Sequence, residues 1–155
     1  MTHEEALNRL QALCSLKEIC ASEAESKLRK WQIEISYFPQ IINALLSSGY
    51  IDQKRYAAAF VADKSRLSKW GAAKIRQALR AKNIPDEIVA QACAAIDPEQ
   101  TQTTLNELLI KKLKTIKSTA DTKKTMAALI RYGASRGFEY EMVYKSAKKV
   151  LFLND

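Results

Sequence analysis

Nine basic side chains are concentrated in a short central segment, and their types and spacing point to one kind of chemistry. Positions 54–82 contain a single acid, Asp63, so this segment has a net charge of +8, equal to the formal charge of the whole chain. Such a concentration is typical of a surface that binds phosphates or carboxylates. The candidate binding residues are Lys54, Arg55, Lys64, Arg66, Lys69, Lys74, Arg76, Arg80 and Lys82.

Two of these residues, Arg76 and Arg80, are four positions apart in a predicted helix. Side chains at this spacing project from the same face, where two like charges cost roughly a few tenths of a kcal/mol. A sequence selected for helix stability alone would have an acid at one of the two positions. The pair therefore favours an anion-binding face, and the alternative interpretation is a plain solvated helix face.

Trp70 directly precedes Gly71, where one predicted helix gives way to the next. We favour a core ring that packs two helices together, because Gly71 has no side chain and lets another backbone or ring approach the turn. The alternative is a ring that stacks on a base or covers an apolar pocket of a partner. Tyr50, Tyr56 and Phe60 are also predicted to lie in the core.

The sequence contains none of the patterns on which catalysis or cofactor binding usually depends. It has no GxxxxGK[ST] or GxGxxG phosphate loop, no HExxH zinc pair and no nucleophile elbow. His3 is the single histidine, and Cys14, Cys20 and Cys93 match no metal-binding or disulfide spacing. We therefore predict no catalytic residues, no metal and no cofactor, with the cysteines as reduced thiols in a cytoplasmic protein.

Membrane insertion and secretion are not expected. The first residues lack the basic and apolar regions of a secretory signal. Nowhere does the chain approach the roughly 18 consecutive apolar residues that a membrane span requires.

Amphipathic helices are predicted along the chain, because apolar residues recur at intervals of three and four rather than two. The residues between these segments are also typical of helix ends. Gly49 fits the left-handed position after one helix, and Asp52 fits the N-cap of the next. Pro85 suits the first turn of a later helix, and Gly137 closes another. The predicted fold is all-α with short connections.

An internal repeat is visible in the apolar pattern. Residues 74–96 superpose without gaps on residues 128–150, which pairs Ile75 with Leu129, Ile84 with Phe138, and Val89 with Val143. A looser first copy pairs residues 27–46 with 74–93. We predict three repeats of short helical, three-helix-type units (5–50, 51–100 and 101–155) that stack into an elongated, curved molecule, because one helix pair cannot bury both of its faces.

The segment 111–124 contains six lysines against Asp121, with polar turn formers in its middle. It is predicted to be a solvated loop between the second and third repeats. A secondary basic contact is the alternative interpretation of this segment.

The central segment resembles the RecX family. The stretch "GYIDQKRYAAAFVADK" (49–64) matches that family's G-Y-[IL]-D-[DE]-x-R-[FY]-A-x-x-[FY]-V pattern. The stretch "WGAAKIRQALRAKNIP" (70–85) is similar to its G-x-x-[KR]-I-x-x-x-L-x-x-[KR]-G-I pattern. Gln53 stands where an acid is usual, and Asn83 where glycine is usual. The matching structural positions are Gly49, Tyr50, Asp52, Tyr56, Phe60, Trp70, Gly71, Ile75 and Leu79.

The resemblance implies a regulator of the RecA recombinase with no enzymatic activity of its own. RecX-like proteins bind the RecA filament on single-stranded DNA, lie in its helical groove and limit its growth. They thereby damp strand exchange, ATP hydrolysis by RecA and the co-protease activity behind the SOS response. The resemblance leaves direct DNA contact open, and we expect a monomer.

A different class of function is a free-standing DNA-binding module whose Arg76–Arg80 helix enters a groove. Base readout usually requires Asn, Gln or Arg at the N-terminal end of the recognition helix. Here that end has Ala72, Ala73 and Lys74, which favours phosphate contact over sequence reading.

Overall fold

The chain is helical throughout the part described by the computed structural model, residues 1–117 and 120–153, and this part contains no strand. The prediction of an all-α fold is confirmed. The helices are α1 (His3–Leu16), α2 (Ala21–Lys30), a short 3-10 turn (Ile35–Tyr37), α3 (Phe38–Ser47), α4 (Gln53–Arg66), α5 (Ala72–Ala81), α6 (Asp86–Ala94), α7 (Pro98–Thr115), α8 (Thr122–Ser135) and α9 (Tyr140–Leu153).

The chain folds into two compact units. The first unit comprises residues 1–60 and 79–92, and the second comprises residues 61–78 and 93–155. The limits of the three predicted repeats, and their stacking into an elongated molecule, stay predictions.

The core of the first unit is aliphatic. The largest side chains at its centre are at most 1% exposed, so each removes nearly all of its apolar surface from water. They are Leu10, Ile19, Leu28, Ile41, Leu45 and Ile51.

The core of the second unit lies among α7, α8 and α9, which pack against one another. Leu105, Leu109, Leu129 and Val143 are fully buried there, and Phe138 is 5% exposed. Within the described ranges, no helix is both long enough and apolar enough to cross a bilayer.

The same helix ending occurs three times in the part of the chain that the structure describes. Gln32, Asn83 and Gly137, which follow α2, α5 and α8, have φ angles of 59°, 60° and 94°. This left-handed backbone suits glycine best and asparagine next. The predicted role of Gly137 is confirmed, and the same conformation explains how Asn83 replaces the usual glycine.

A buried apolar residue follows each of these positions and closes the turn. Its amide donates to the carbonyl five residues earlier, as in a Schellman motif. The pairs are Ile33 to Leu28 (3.0 Å), Ile84 to Leu79 (3.2 Å) and Phe138 to Gly133 (3.2 Å).

The predicted alignment of the second and third copies agrees with burial. Ile75 and Leu129 are both fully buried, and Val89 and Val143 are at most 1% exposed. The alignment of the first copy is wrong in its first half. The turn geometry makes Leu28 equivalent to Leu79, a shift of four positions, because the 3-10 turn Ile35–Tyr37 lengthens the connection before α3.

Three further expectations need correction. The segment 111–124 is not all loop, since α7 continues to Thr115 and α8 begins at Thr122. Helix α7 persists because Leu113 packs against the core of the second unit, while the lysines in its last turn favour the negative end of the helix dipole. Residues 118–119 of the predicted loop lie outside the described residues.

The second correction concerns Pro85. Helix α6 begins at Asp86, so Pro85 caps this helix rather than lying in its first turn.

The third correction concerns Tyr50, which was predicted to lie in the core. Its side chain is 39% exposed. The neighbouring position Ile51 takes the buried place instead, with 1% exposure, and its amide donates to the carbonyl of Leu45 at 3.1 Å. The chain bends at Tyr50, and with Ile51 in the buried place the Tyr50 side chain stays at the surface.

Candidate anion-binding surface

Asp52 forms the N-cap of helix α4. Gly49 turns the chain at φ 76°, and the Asp52 carboxylate then accepts a hydrogen bond from the amide of Arg55 at 3.0 Å. A carboxylate at this position satisfies an otherwise unbonded amide and favours the positive end of the helix dipole. The predicted roles of Gly49 and Asp52 are confirmed.

The Arg55 side chain holds the connection before α4 in the first unit. Its Nε donates to Glu18 Oε1 at 2.6 Å, and its Nη2 donates to the carbonyls of Gly49 and Tyr50 at 3.1 and 3.3 Å. The bond to Glu18 raises the pKa of Arg55. The charge of this residue is therefore neutralised within the fold, although Arg55 is one of the nine predicted binding residues.

A polar cluster ties α2 to α4 in the same unit. Tyr56 is 6% exposed, and its hydroxyl donates to Glu23. Glu23 also accepts from the Cys20 thiol at 3.3 Å and lies 3.9 Å from Lys82 Nζ. Burial alone would raise the pKa of Glu23, but these hydrogen bonds and the Lys82 charge outweigh it and lower that pKa. Burial and the neighbouring carboxylate raise the pKa of Tyr56.

At the C-terminal end of α5, Arg80 Nε lies 3.2 Å from Asp86 Oδ1. The two side chains are 59% and 82% exposed, so this pair contributes little to stability. It does place an acid beside one member of the predicted Arg76–Arg80 pair. Lys54 is exposed and makes no ion pair within 4.0 Å among the described residues.

In the second unit two ammonium groups approach the ring of Trp70. Lys64 Nζ lies 4.8 Å from the ring centroid and Lys74 Nζ lies 4.5 Å from it. Each contact of this kind is worth roughly 0.5–1 kcal/mol at an exposed site. Trp70 is half-buried, which is less enclosed than the core interpretation predicts, and so is Phe60.

The backbone around Trp70 is fixed by its neighbours in the second unit. The amide of Gly71 donates to the carbonyl of Arg136 at 2.7 Å, and the amide of Ala73 donates to the carbonyl of Gly137 at 3.1 Å. The Arg136 guanidinium donates to the carbonyl of Ser68. The prediction that Gly71 admits a closely approaching backbone is confirmed, since a Cβ there would overlap the backbone of Gly137.

The remaining basic residues of this unit differ in how they are paired. Lys69 has a φ of 57°, and its Nζ lies 3.9 Å from Glu107, with both side chains well exposed. Arg66 is exposed and Arg76 is half-buried. Neither arginine makes an ion pair within 4.0 Å in the part of the chain that the structure describes.

The nine predicted residues therefore differ in the partners of their charges. Arg55, Lys69, Arg80 and Lys82 have acidic partners, and Lys64 and Lys74 lie against Trp70, whereas Lys54, Arg66 and Arg76 have no ion pair among the described residues. Sequence spacing could not reveal the partner of Arg55, because Glu18 is 37 positions away. In the described residues, no three acidic, histidine or cysteine side chains converge as a metal site.

Comparison with known proteins agrees with this architecture. The family model described as "RecX, second three-helix domain" matches residues 52–92, which contain α4, α5 and most of α6. The regulatory protein RecX of Chlorobaculum tepidum is 29% identical over 130 residues, which cover 84% of this chain and 78% of that protein. The RecX of Clostridium botulinum Eklund 17B is 30% identical over 111 residues, 71% of this chain and 51% of that protein.

Two solved structures share the fold. The crystal structure of RecX from Lactobacillus salivarius superposes with a TM-score of 0.79 at 23% identity, covering 96% of each chain. A second crystal structure, of a regulatory protein RecX, superposes with a TM-score of 0.86 at 22% identity and covers 95% of this chain and 73% of that one. The chain thus spans about half the length of some relatives and most of others.

Fold and sequence together define an all-helical protein whose residues 52–92 match a three-helix domain of RecX proteins. In sequence and in fold the chain is similar to the regulatory proteins RecX.

Proposed function

We propose that the protein modulates the RecA recombinase, mainly as an inhibitor. In this proposal it binds as a cytoplasmic monomer in the groove of the RecA filament on single-stranded DNA and limits filament growth, recombination and SOS co-protease activity. One observation carries the proposal. The region that matches the RecX three-helix domain, residues 52–92, contains the whole segment of charge +8.

The charge of this segment suits a filament groove lined by DNA phosphates and acidic protein surface. Lys54, Arg66 and Arg76 make no ion pair with described residues, so their charges are available to such a partner. Lys74 keeps its charge at the Trp70 ring, because a cation–π contact does not neutralise an ammonium group.

The decisive experiment measures binding to three targets: RecA filaments on single-stranded DNA with a non-hydrolysable ATP analogue, RecA alone and the same DNA alone. We expect clearly tighter binding to the filament than to either component, because the proposed site is composite. Equal affinity for bare DNA would replace this proposal with the free-standing DNA-binding module.

A functional readout complements binding. The protein should lower the DNA-dependent ATPase activity of RecA and stop the extension of fluorescently labelled filaments. Both effects should weaken as salt rises, since contacts to phosphates release counterions. Filament growth that continues at saturating concentrations of this protein would contradict the inhibitory role.

A further inference from the structure

Helices α8 and α9 leave an apolar groove of about 440 Å³ on the surface of the second unit. Its floor and walls include the side chains of Met126, Ile130, Tyr144 and Phe152. A concave apolar surface of this size can enclose one or two large side chains of a ligand. None of the residues that line the groove belongs to the basic central segment 54–82.

Met126 and Ile130 pack against the core of the second unit, but the aromatic rings that α9 adds to the groove lie outside that core. On α9 the buried apolar positions are Val143, Ala147 and Val150, which belong to the core shared with α7 and α8. Tyr144 and Phe152 are 42% and 52% exposed, and the ring of Tyr144 stacks on that of Tyr140 at a centroid distance of 6.3 Å. A contiguous exposed apolar patch on a soluble fold is typical of an interaction site.

Charge indicates the kind of occupant. Lys123 lines the groove from α8 and Lys148 lines it from α9, and both are exposed. No acidic side chain is among the described lining residues. A ligand with an apolar anchor flanked by carboxylates would bury the anchor and pair with both ammonium groups.

We propose that this groove binds a short amphipathic segment of a partner protein, with an apolar side chain between Ile130 and Tyr144 and carboxylates at Lys123 and Lys148. Such a segment would dock as a helix in a groove, where anchors three or four residues apart enter the apolar surface. Met126, Ala127 and Ile130 give the groove an aliphatic lining, which favours a peptide side chain over single-stranded nucleic acid, whose bases stack on aromatic faces.

A synthetic, fluorescently labelled helical peptide of 16 residues, with Leu and Phe anchors four apart and Glu at the flanking positions, tests the proposal. The full chain should bind it with saturation, and its NMR shift changes should be confined to α8 and α9. A peptide with the same anchors but Lys in place of Glu should bind about tenfold more weakly, and so should the variant Lys123→Glu/Lys148→Glu.

Two protein variants separate the groove from the rest of the surface. Tyr144→Ser, at an exposed position, should abolish binding without changing the melting temperature. Lys17→Glu/Lys30→Glu, with the same charge change outside the groove, should bind the acidic peptide as the wild type does.

Equal binding of the acidic and basic peptides would overturn the proposal. A lack of saturation at millimolar peptide would overturn it as well. Tighter binding of an oligothymidylate, or a change in sedimentation in Tyr144→Ser that reveals a groove-mediated dimer, would also overturn it.

Discussion

The backbones of Gly71 and Gly137 lie against each other in the second unit. A Cβ on Gly71 would come within 2.6 Å of the backbone nitrogen of Phe138 and would overlap the carbonyl group of Gly137. Hydrogen bonds from Gly71 and Ala73 to the turn at Arg136–Gly137 hold this approach. The connection that contains Trp70 is thereby fastened to the end of α8.

We predict that Gly71→Ala destabilises the fold by about 3 kcal/mol, at the upper end of ordinary overpacking costs, because backbone atoms cannot move aside as a flexible side chain can. Urea denaturation followed by circular dichroism measures it. Gly49→Ala is the control, since a Cβ there meets nothing within 4 Å and the φ of 76° alone costs about 1 kcal/mol. Equal losses in the two variants would mean that the close approach is unimportant.

The second prediction concerns the basic residues without ion pairs. Arg66→Glu/Arg76→Glu should weaken binding to the RecA filament about tenfold or more and leave the free energy of unfolding within about 0.5 kcal/mol, because no pair is broken. Arg80 stays unchanged because a glutamate there would repel Asp86. The matched control is Lys17→Glu/Lys30→Glu, which makes the same charge change at exposed positions outside the segment.

The salt dependence of binding sharpens this test. The logarithm of the binding constant falls linearly with the logarithm of the salt concentration. If both arginines contact phosphates of single-stranded DNA, replacing them with Gln should make this slope less steep by about 1.4. An unchanged slope and unchanged affinity would mean that these cations serve only solubility.

The third prediction separates support from contact at Trp70. Because the ring is half-buried, Trp70→Ala should cost about 2 kcal/mol of stability, below the roughly 3–5 kcal/mol of a fully buried aromatic ring. Trp31→Ala is a close match, since Trp31 is also half-buried and has the Arg9 guanidinium 4.6 Å from its ring centroid. Denaturation and filament binding are measured on both variants. Loss of binding in Trp70→Ala alone would assign the ring to the interface, whereas parallel losses would make it structural.

The fourth prediction follows from the lowered pKa of Glu23. A carboxyl group whose pKa is lower in the folded state adds stability above its unfolded pKa, near 4.5, and loses that contribution as the pH falls through the folded value. Glu23→Gln should therefore cost about 1–2 kcal/mol at neutral pH, as lost hydrogen bonds to a charged group do, and less below about pH 4.

Denaturation of wild type and Glu23→Gln at about pH 7 and about pH 3.5 measures this difference. Tyr56→Phe is the companion variant, because it removes the hydroxyl that donates to Glu23 and keeps the ring. It should bring the pKa of Glu23 closer to its ordinary value. A difference between wild type and Glu23→Gln that does not change with pH would show that the ionised carboxylate is not what the cluster stabilises.

The helices and their ends could be predicted from sequence because they depend on nearby residues. Apolar spacing defined the buried faces of α5, α8 and α9, and Gly49, Asp52 and Gly137 marked turns whose geometry depends on a few positions. The alignment of the first copy was wrong because apolar spacing does not show the length of the connection between two helices. The 3-10 turn Ile35–Tyr37 changes the spacing without altering the apolar pattern on either side of it.

The candidate site was predicted in composition but not in arrangement. The sequence by itself determined where the positive charge is concentrated, since a count along the chain requires no folding. Only the tertiary structure decided which charges are available. Arg55 forms an ion pair with Glu18, and Lys82 forms one with Glu23, although each pair is far apart in the sequence. Trp70 is half-buried. Pairing and burial depend on which elements pack together, and helical periodicity alone does not specify that choice.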